Sequence, residues 1–330
     1  MIARRKLLVA LCAGVIGTPL RAFAQPQGKI WRVGYIDFGT RQSTLESGRY
    51  AALMQGLRES GYVDGRNLVI EARYAEGRLD RVDGFAVELV RQKVDLILTL
   101  GSAASRAAQR ATSTIPIVVI SSPDPVREGF AASLARPGGN LTGMSNGADD
   151  TVEKLLELLL AAAPKLNRVA VLTNPANGAH ESLLAGVQSA ARKTGKKHLP
   201  MSVRTPEEID KRFASMARER ADGVIILADA FLFQQRAQIA GLALKHRLPS
   251  IYALAGYAEV GGLMNYGADN TDNFRRAALF VHNIFKGAKP GDLPFEQPLR
   301  YYLAINGKTA KVLGLTLPQS LLISADMVLE

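Results

Sequence analysis

The chain reads as short apolar runs alternating with amphipathic stretches. RVGYI at 32–36 predicts a strand. Gly48 to Ser60 predicts a helix with Ala51, Ala52, Met54 and Leu57 inward. A second strand starts at Leu68-Val69-Ile70, and a helix follows through Phe85, Ala86, Leu89 and Val90. Strand 94–100, a helix from about 103 to 111 and strand 115–120 complete the series. Strands this apolar are covered on both faces, and the β-α-β order makes their sheet parallel.

The pattern restarts at 168. RVAVLTN, a helix at 179–194, HLPMSV and a helix at 206–220 repeat the plan. GVIILAD at 223–229, a helix through Ala237, Leu242 and Ala243, and LPSIYAL at 248–254 continue it. GLRESGYVDGRNL at 56–68 aligns with GVQSAARKTGKKHL at 186–199. KVDLILTLGSAAS at 93–105 aligns with RADGVIILADAFL at 220–232. Duplication explains two such α/β halves better than chance.

Turn-rich RPGGNLTG at 136–143 separates the halves, and Asp150 with Glu153 reads as a capping box for a helix at 151–162. The second half ends near Gly261 to Gly267. A helix at 271–286 and a tail with a strand, a helix at 307–313 and a closing segment lie outside the duplicated units. The chain is therefore expected to cross between domains more than once, which makes a hinge rather than a linker.

The first residues have another character. Arg4, Arg5 and Lys6 precede an apolar run from Leu7 to Leu20, and Ala22-Phe23-Ala24 fits a small-x-small cleavage pattern. This predicts an export signal over 1–24, with Cys12 inside it. The run is short for a membrane anchor and is interrupted by Pro19 and Arg21. Residues 1–24 hold four basic residues and no acidic one, so the net charge of +11 becomes +7 beyond them, 37 basic against 30 acidic. The remainder has no cysteine, which excludes disulfides and thiolate metal sites and suits an oxidising compartment. The basic residues are mixed with acidic ones, as in RESGYVDGR, so nucleic acid is not an expected partner.

Candidate chemistry lies at strand ends, because open parallel sheets bind ligands beyond their carboxyl edges. The first half offers Asp37, Phe38 and Thr40, then Gly101, Ser102 and Ala103, then Ser121, Ser122 and Asp124. The second offers Asn174 and Asp229. Ser102 and the free N–H groups of its helix suit a carboxylate, or Ser102 merely caps the helix. Asp229 suits an ammonium group, or it too is a cap, and Asp37 competes as the acidic partner. Phe38, Phe231 and Tyr266 are candidate aromatic walls, or ordinary core. The four histidines are scattered, and nucleophile-elbow and phosphate-loop motifs are absent from the strand turns. No catalytic residue, cofactor or metal is expected, and the chain reads as a binder rather than an enzyme.

Longer motifs carry a family resemblance. They include GLRESGYVDGRNLVIEARYAEGRLDR at 56–81, VELVRQKVDLILTLGSAA at 87–104 and ATSTIPIVVISSPDPVREGFAASLARPGGNLTGMS at 111–145. RVAVLTNPAN at 168–177, HRLPSIYALAGYAEVGGLMNYGADN at 246–270 and INGKTAKVLGLTLPQSLLISAD at 305–326 continue them. The chain resembles periplasmic ABC-transporter substrate-binding proteins of the group that includes tryptophan- and tyrosine-type binding proteins.

The resemblance implies a type I periplasmic binding fold, two Rossmann-like αβα lobes with a cleft between them. The lobes would be 28–143 plus 267–298, and 147–264 plus 301–330. Gly101, Ser102, Ala103, Ser121, Ser122, Asp124 and Tyr266 would lie near the cleft, with Asn174 and Asp229 at the second lobe's strand ends. The resemblance also implies a periplasmic protein that takes a small ligand, an amino acid, with aromatic and branched ones among the candidates, or a related carboxylate, to an inner-membrane permease. A monomer is expected. A ligand sensor serving a receptor and an exported enzyme are the alternatives. N-terminal sequencing of the exported protein is expected to begin at Gln25.

Overall fold

The computed structural model describes residues 29–268, 270–298 and 300–330. The expected export signal, its cleavage site and Cys12 lie outside them. The first sheet contains β1 (Trp31–Asp37), β2 (Leu68–Tyr74), β3 (Leu96–Leu100), β4 (Ile117–Ser122) and β5 (Leu141–Ser145). All its pairings are parallel, in the spatial order β2-β1-β3-β4-β5. Between these strands run α1 (Arg41–Glu46), α2 (Arg49–Glu59), α3 (Leu79–Arg91) and α4 (Ser102–Ala111).

Strand residues alternate between two cores, as the two-residue period requires. Val33, Tyr35, Leu96, Leu98, Val118 and Ile120 face Leu53 and Leu57 of α2. The same core takes Phe274 and Val281 of α10 (Asn270–Phe285). Ile36, Ile97, Ile117 and Val119 belong to the other core, with Ala104 and Ala108 of α4. Val82, Ala86 and Leu89 place three apolar contacts on one stripe of α3 in that core.

The second lobe contains α5 (Ala148–Ala162), β6 (Arg168–Thr173), α6 (His180–Lys193) and β7 (Lys197–Ser202). It continues with α7 (Pro206–Arg218), β8 (Gly223–Ile226), α8 (Ala230–Gln234), α9 (Arg236–Lys245), β9 (Ser250–Tyr252) and β10 (Met264–Ala268). After α10 come β11 (Tyr301–Asn306), α11 (Gly307–Leu313), α12 (Gln319–Ser324) and β12 (Met327–Leu329). The sheet order is β12-β11-β10-β9-β8-β6-β7. Its run β7-β6-β8-β9-β10 repeats the first sheet's order strand for strand, so one doubly wound plan is used twice. Only the β10–β11 pairing is antiparallel.

Three local features differ from the sequence pattern. The stretch expected as a turn-rich boundary runs into β5, and the expected end of the second half contains β10. Inside these two strands, glycine serves close backbone approach rather than turning. A Cβ on Gly143 would stand 2.0 Å from the Val119 carbonyl oxygen, and one on Gly267 would stand 2.2 Å from that of Ala253. The helix expected from 151 begins at Ala148 behind Gly147, so Asp150 falls inside its first turn and not at its cap. Glu153 instead pairs with Lys193 at 2.7 Å.

The backbone passes between the lobes after Ser145, again after Ala268, and a third time after Glu296. The last two passages enclose α10, which packs on α2, and residue Glu296 bridges Met144 beside β5. Three neighbouring crossings therefore join the two lobes.

Two substitutions test this packing by urea unfolding. Gly143→Ala is expected to lose about 2 kcal/mol or more, since two backbones must separate. Gly84→Ala, in α3 with nothing beyond its own helix backbone near the new Cβ, is expected to gain roughly 0.5–1 kcal/mol.

Candidate functional site

The carboxyl ends of both sheets meet at one cavity of about 630 Å³, open mouth included. The first lobe contributes Asp37, Gly101, Ser102 and Ser121 from the ends of β1, β3 and β4. The second contributes Asn177, Asp229 and Phe233 from the segments after β6 and β8. A smaller cavity of about 310 Å³ shares Ser102, Asn177 and Asp229, and adds Phe38, Ala103, Asn174 and Phe231. Phe38 and Phe231 meet edge to face across the cleft, ring centres 6.2 Å apart.

Asp229 is buried at the start of α8 and is its cap: Leu232 N–H donates to Oδ1 at 3.0 Å. The Asn174 amide donates to both carboxylate oxygens at 3.2 and 3.3 Å, and the Asn177 amide donates to Oδ2 at 3.1 Å. Each asparagine is oriented by its own turn. Asn174 Oδ1 accepts from Ala176 N–H at 3.0 Å, and Asn177 Oδ1 from Ala179 N–H at 3.1 Å. His180 completes the network. Its Nδ1 accepts from Asn174 N–H at 2.7 Å, which leaves the ring proton on Nε2 to donate to the Ala228 carbonyl at 3.1 Å. Burial holds the His180 pKa below its ordinary value, and the Asp229 charge opposes that shift.

Asp37 is the corresponding group in the first lobe. It accepts from Tyr35 OH at 2.8 Å, Gly39 N–H at 2.7 Å and Thr44 Oγ1 at 2.6 Å. Burial, and then the Asp37 charge and hydrogen bond, push the Tyr35 phenol well above its usual pKa. Neither Asp37 nor Asp229 has an ion-pair partner among the described residues. Two buried acceptor groups thus face one cavity with dipoles around them but no paired cation.

Ser102 is the first residue of α4, and Gly101 occupies the cap position without a side-chain cap bond. The serine hydroxyl therefore stays on the cavity wall, 3.5 Å from Asn177 Oδ1 of the facing lobe. Ser121 accepts from the Asn146 amide at 3.3 Å. Behind this wall Glu128 is buried, and the Ser122 hydroxyl donates to it. Burial raises the Glu128 pKa, against the pull of Ser102, Ser122 and Arg106.

Asp37, Phe38, Gly101, Ser102, Ala103, Ser121, Asn174 and Asp229 thus line one or both cavities. Thr40, Ser122, Asp124 and Tyr266 line neither. Thr40 caps α1, and Asp124 accepts from Val126 and Arg127 N–H at 3.0 Å each. Tyr266 faces Tyr301, ring centres 5.8 Å apart. Arg49, Asn146, Asn177 and Phe233 also line the wall, beyond the residues expected from the sequence. Asn146 and Asn177 follow strands closely enough to have been found by the strand-end rule. Arg49 and Phe233 sit on helices and carry no such signal. Among the described residues, no group of three or more His, Cys, Asp or Glu is placed to hold a metal ion.

Residues 46–329 match the family model for ABC transporter substrate binding proteins. A tyrosine-binding protein of Clostridioides difficile (strain R20291) is 24% identical over 329 residues, covering 96% of this chain and 94% of that protein. A conserved domain protein from Vibrio cholerae aligns with a TM-score of 0.84 and 26% identity, covering 91% of this chain and 100% of that one. The ABC domain from Streptococcus pneumoniae, solved in complex with L-Trp, aligns with a TM-score of 0.83 and 25% identity, covering 91% and 99%. The fold is that of type I periplasmic binding proteins.

The His180 network has a pH signature. Its folded pKa lies below the value of 6.5 taken for the unfolded chain, so the unfolded chain binds the extra proton first. The contribution to stability is complete above about pH 6.5 and declines as the pH falls toward the folded pKa, by at most about 1.4 kcal/mol per pH unit. Urea titrations at stepped pH are expected to show that slope, and His180→Gln to flatten it.

Proposed function

Because this chain belongs to the family of ABC transporter substrate binding proteins, we propose that it captures an amino acid in the cleft and delivers it to an inner-membrane permease. An aromatic amino acid is the favoured ligand. The relatives that bind tyrosine and L-Trp support that choice. The carrying observation is the pair of buried acids, Asp37 and Asp229, facing one cavity without a paired cation among the described residues. A buried anion left unpaired is costly, and a ligand ammonium group offsets that cost. The ligand carboxylate is assigned to Ser102 and the N–H groups that open α4.

The protein works without chemical turnover, as a monomer in the periplasm after removal of residues 1–24. The segments on either side of the crossings at 145, 268 and 296 move as the two lobes, so the first lobe's return segment starts beyond Ala268, not at Gly267 as the sequence pattern suggests. Ligand bridges them and shifts the population toward the closed form, which the permease recognises. Among the described residues no helix is long and apolar enough to cross a membrane.

Thermal shift and calorimetry with L-tyrosine, L-tryptophan, L-leucine, tyramine and 4-hydroxyphenylpropionate test the assignment. The amino acids are expected to stabilise the protein, by about 2.7 kcal/mol at a hundred times Kd. Asp229→Asn keeps a competent helix cap but removes the charge, and is expected to weaken amino-acid binding about tenfold or more. Stabilisation by the acid lacking an amine, and by none of the amino acids, would sink the reading. Recovery of the ligand unchanged from the complex checks that there is no turnover.

A further inference from the structure

Outside the ligand cavity lies a larger open one of about 1410 Å³, mouth included. The two share Ser47, Arg49 and Phe233, which therefore form the partition between them. Arg49 opens α2 in the first lobe, and Phe233 lies in α8 of the second. The Arg49 guanidinium carbon stands 3.9 Å from the centre of the Phe233 ring.

The ring is held by its own lobe. Arg236 also lies over it at 4.6 Å and donates to the Phe233 carbonyl at 3.3 Å. Tyr257 meets it edge to face at 5.8 Å. Gly256 leaves it room, because a Cβ there would come within 3.2 Å of the ring. Phe233 is thus a platform built by one lobe, and Arg49 is the group that reaches it from the other. A guanidinium over an aromatic face is attracted to the ring's electron density, more strongly where water is excluded. Phe233 is only 7% exposed. The Arg49 charge also opposes the burial-driven rise in pKa of Tyr35 in the first lobe and of Tyr257 in the second.

We propose that Arg49 is the latch of the binding cleft: by stacking on Phe233 it holds the lobes together at the rim and shuts the passage between the inner and outer cavities. It acts through Phe233 and is a positioning residue for ligand retention. Its purpose rests on the ligand-binding reading of the cleft, but its geometry does not. Three further contacts between the lobes lie elsewhere. Phe38–Phe231 and Ser102–Asn177 belong to the inner walls, and Arg127 reaches Ser182 on the exposed side.

The cysteine-free remainder beyond Cys12 allows a direct test. Gln55→Cys on α2 and Lys211→Cys on α7 place nitroxide labels at exposed positions, one on each lobe. Pulsed dipolar spectroscopy then reads the closed-to-open ratio without ligand and with L-tyrosine or L-tryptophan. Arg49→Ala is expected to lower that ratio about tenfold in at least one condition. Phe233→Leu, which keeps an apolar side chain but removes the ring, is expected to do the same. Arg49→Lys is expected to fall between Arg49→Ala and the parent, which covers the case of an Ala variant that folds poorly. Distance distributions of Arg49→Lys and Phe233→Leu that superimpose on the parent in every condition would overturn the latch. A parent distribution unmoved by either amino acid, with the variants still opened, would defeat the amino-acid reading and leave the latch standing.

Discussion

Asp229 is buried where β8 gives way to α8, and no described cation pairs with it. A carboxylate in that place is stable only when donors surround it. Each donor that satisfies it also fixes part of the cleft. By accepting from the Leu232 N–H, Asp229 caps α8 and so helps set the position of Phe233 one residue later. The Asn174 and Asn177 amides hold the turn after β6. His180 receives the Asn174 N–H and returns a bond to Ala228, beside Asp229 itself. The ends of β6 and β8 are therefore joined in one hydrogen-bond network around a charge that the protein itself must solvate.

Asp37 imposes the same demand on the first lobe through Tyr35, Gly39 and Thr44. Both acids end on one cavity, and like charges there oppose closure unless a cation enters. The proposed ammonium ligand meets that need from inside. At the rim, Arg49 carries positive charge across to the Phe233 ring of the facing lobe. The proposed ligand and the proposed latch would in this way answer one electrostatic demand.

The apolar runs of β1, β3, β4, β6 and β8 are legible in the sequence because both of their faces are covered. β5 and β10 are not, and for a shared reason. Each is the last strand of the repeated order, and each carries a glycine pressed against the neighbouring backbone, so the residue that resembles a turn is a packing requirement. The six residues of α1, RQSTLE, show no apolar period to reveal a helix. In the site, the strand-end rule reaches Asp37, Ser102 and Asp229, which do line the cavity. The same rule brings in Thr40 and Asp124, whose side chains cap local backbone, because a hydroxyl or carboxylate at a strand end serves either use.

Local sequence is enough to establish two α/β units, their duplicated order and the polar groups at their strand ends. Those properties follow from periodicity and turn chemistry within a few residues. Which strand ends share a cavity depends on how the backbone crosses at 145, 268 and 296, and that depends on close approaches between distant strands. The pairing of Arg49 with Phe233 lies further still from any local signal. One is an ordinary helical arginine and the other one aromatic in a buried run, and only the meeting of the two lobes gives them a common purpose.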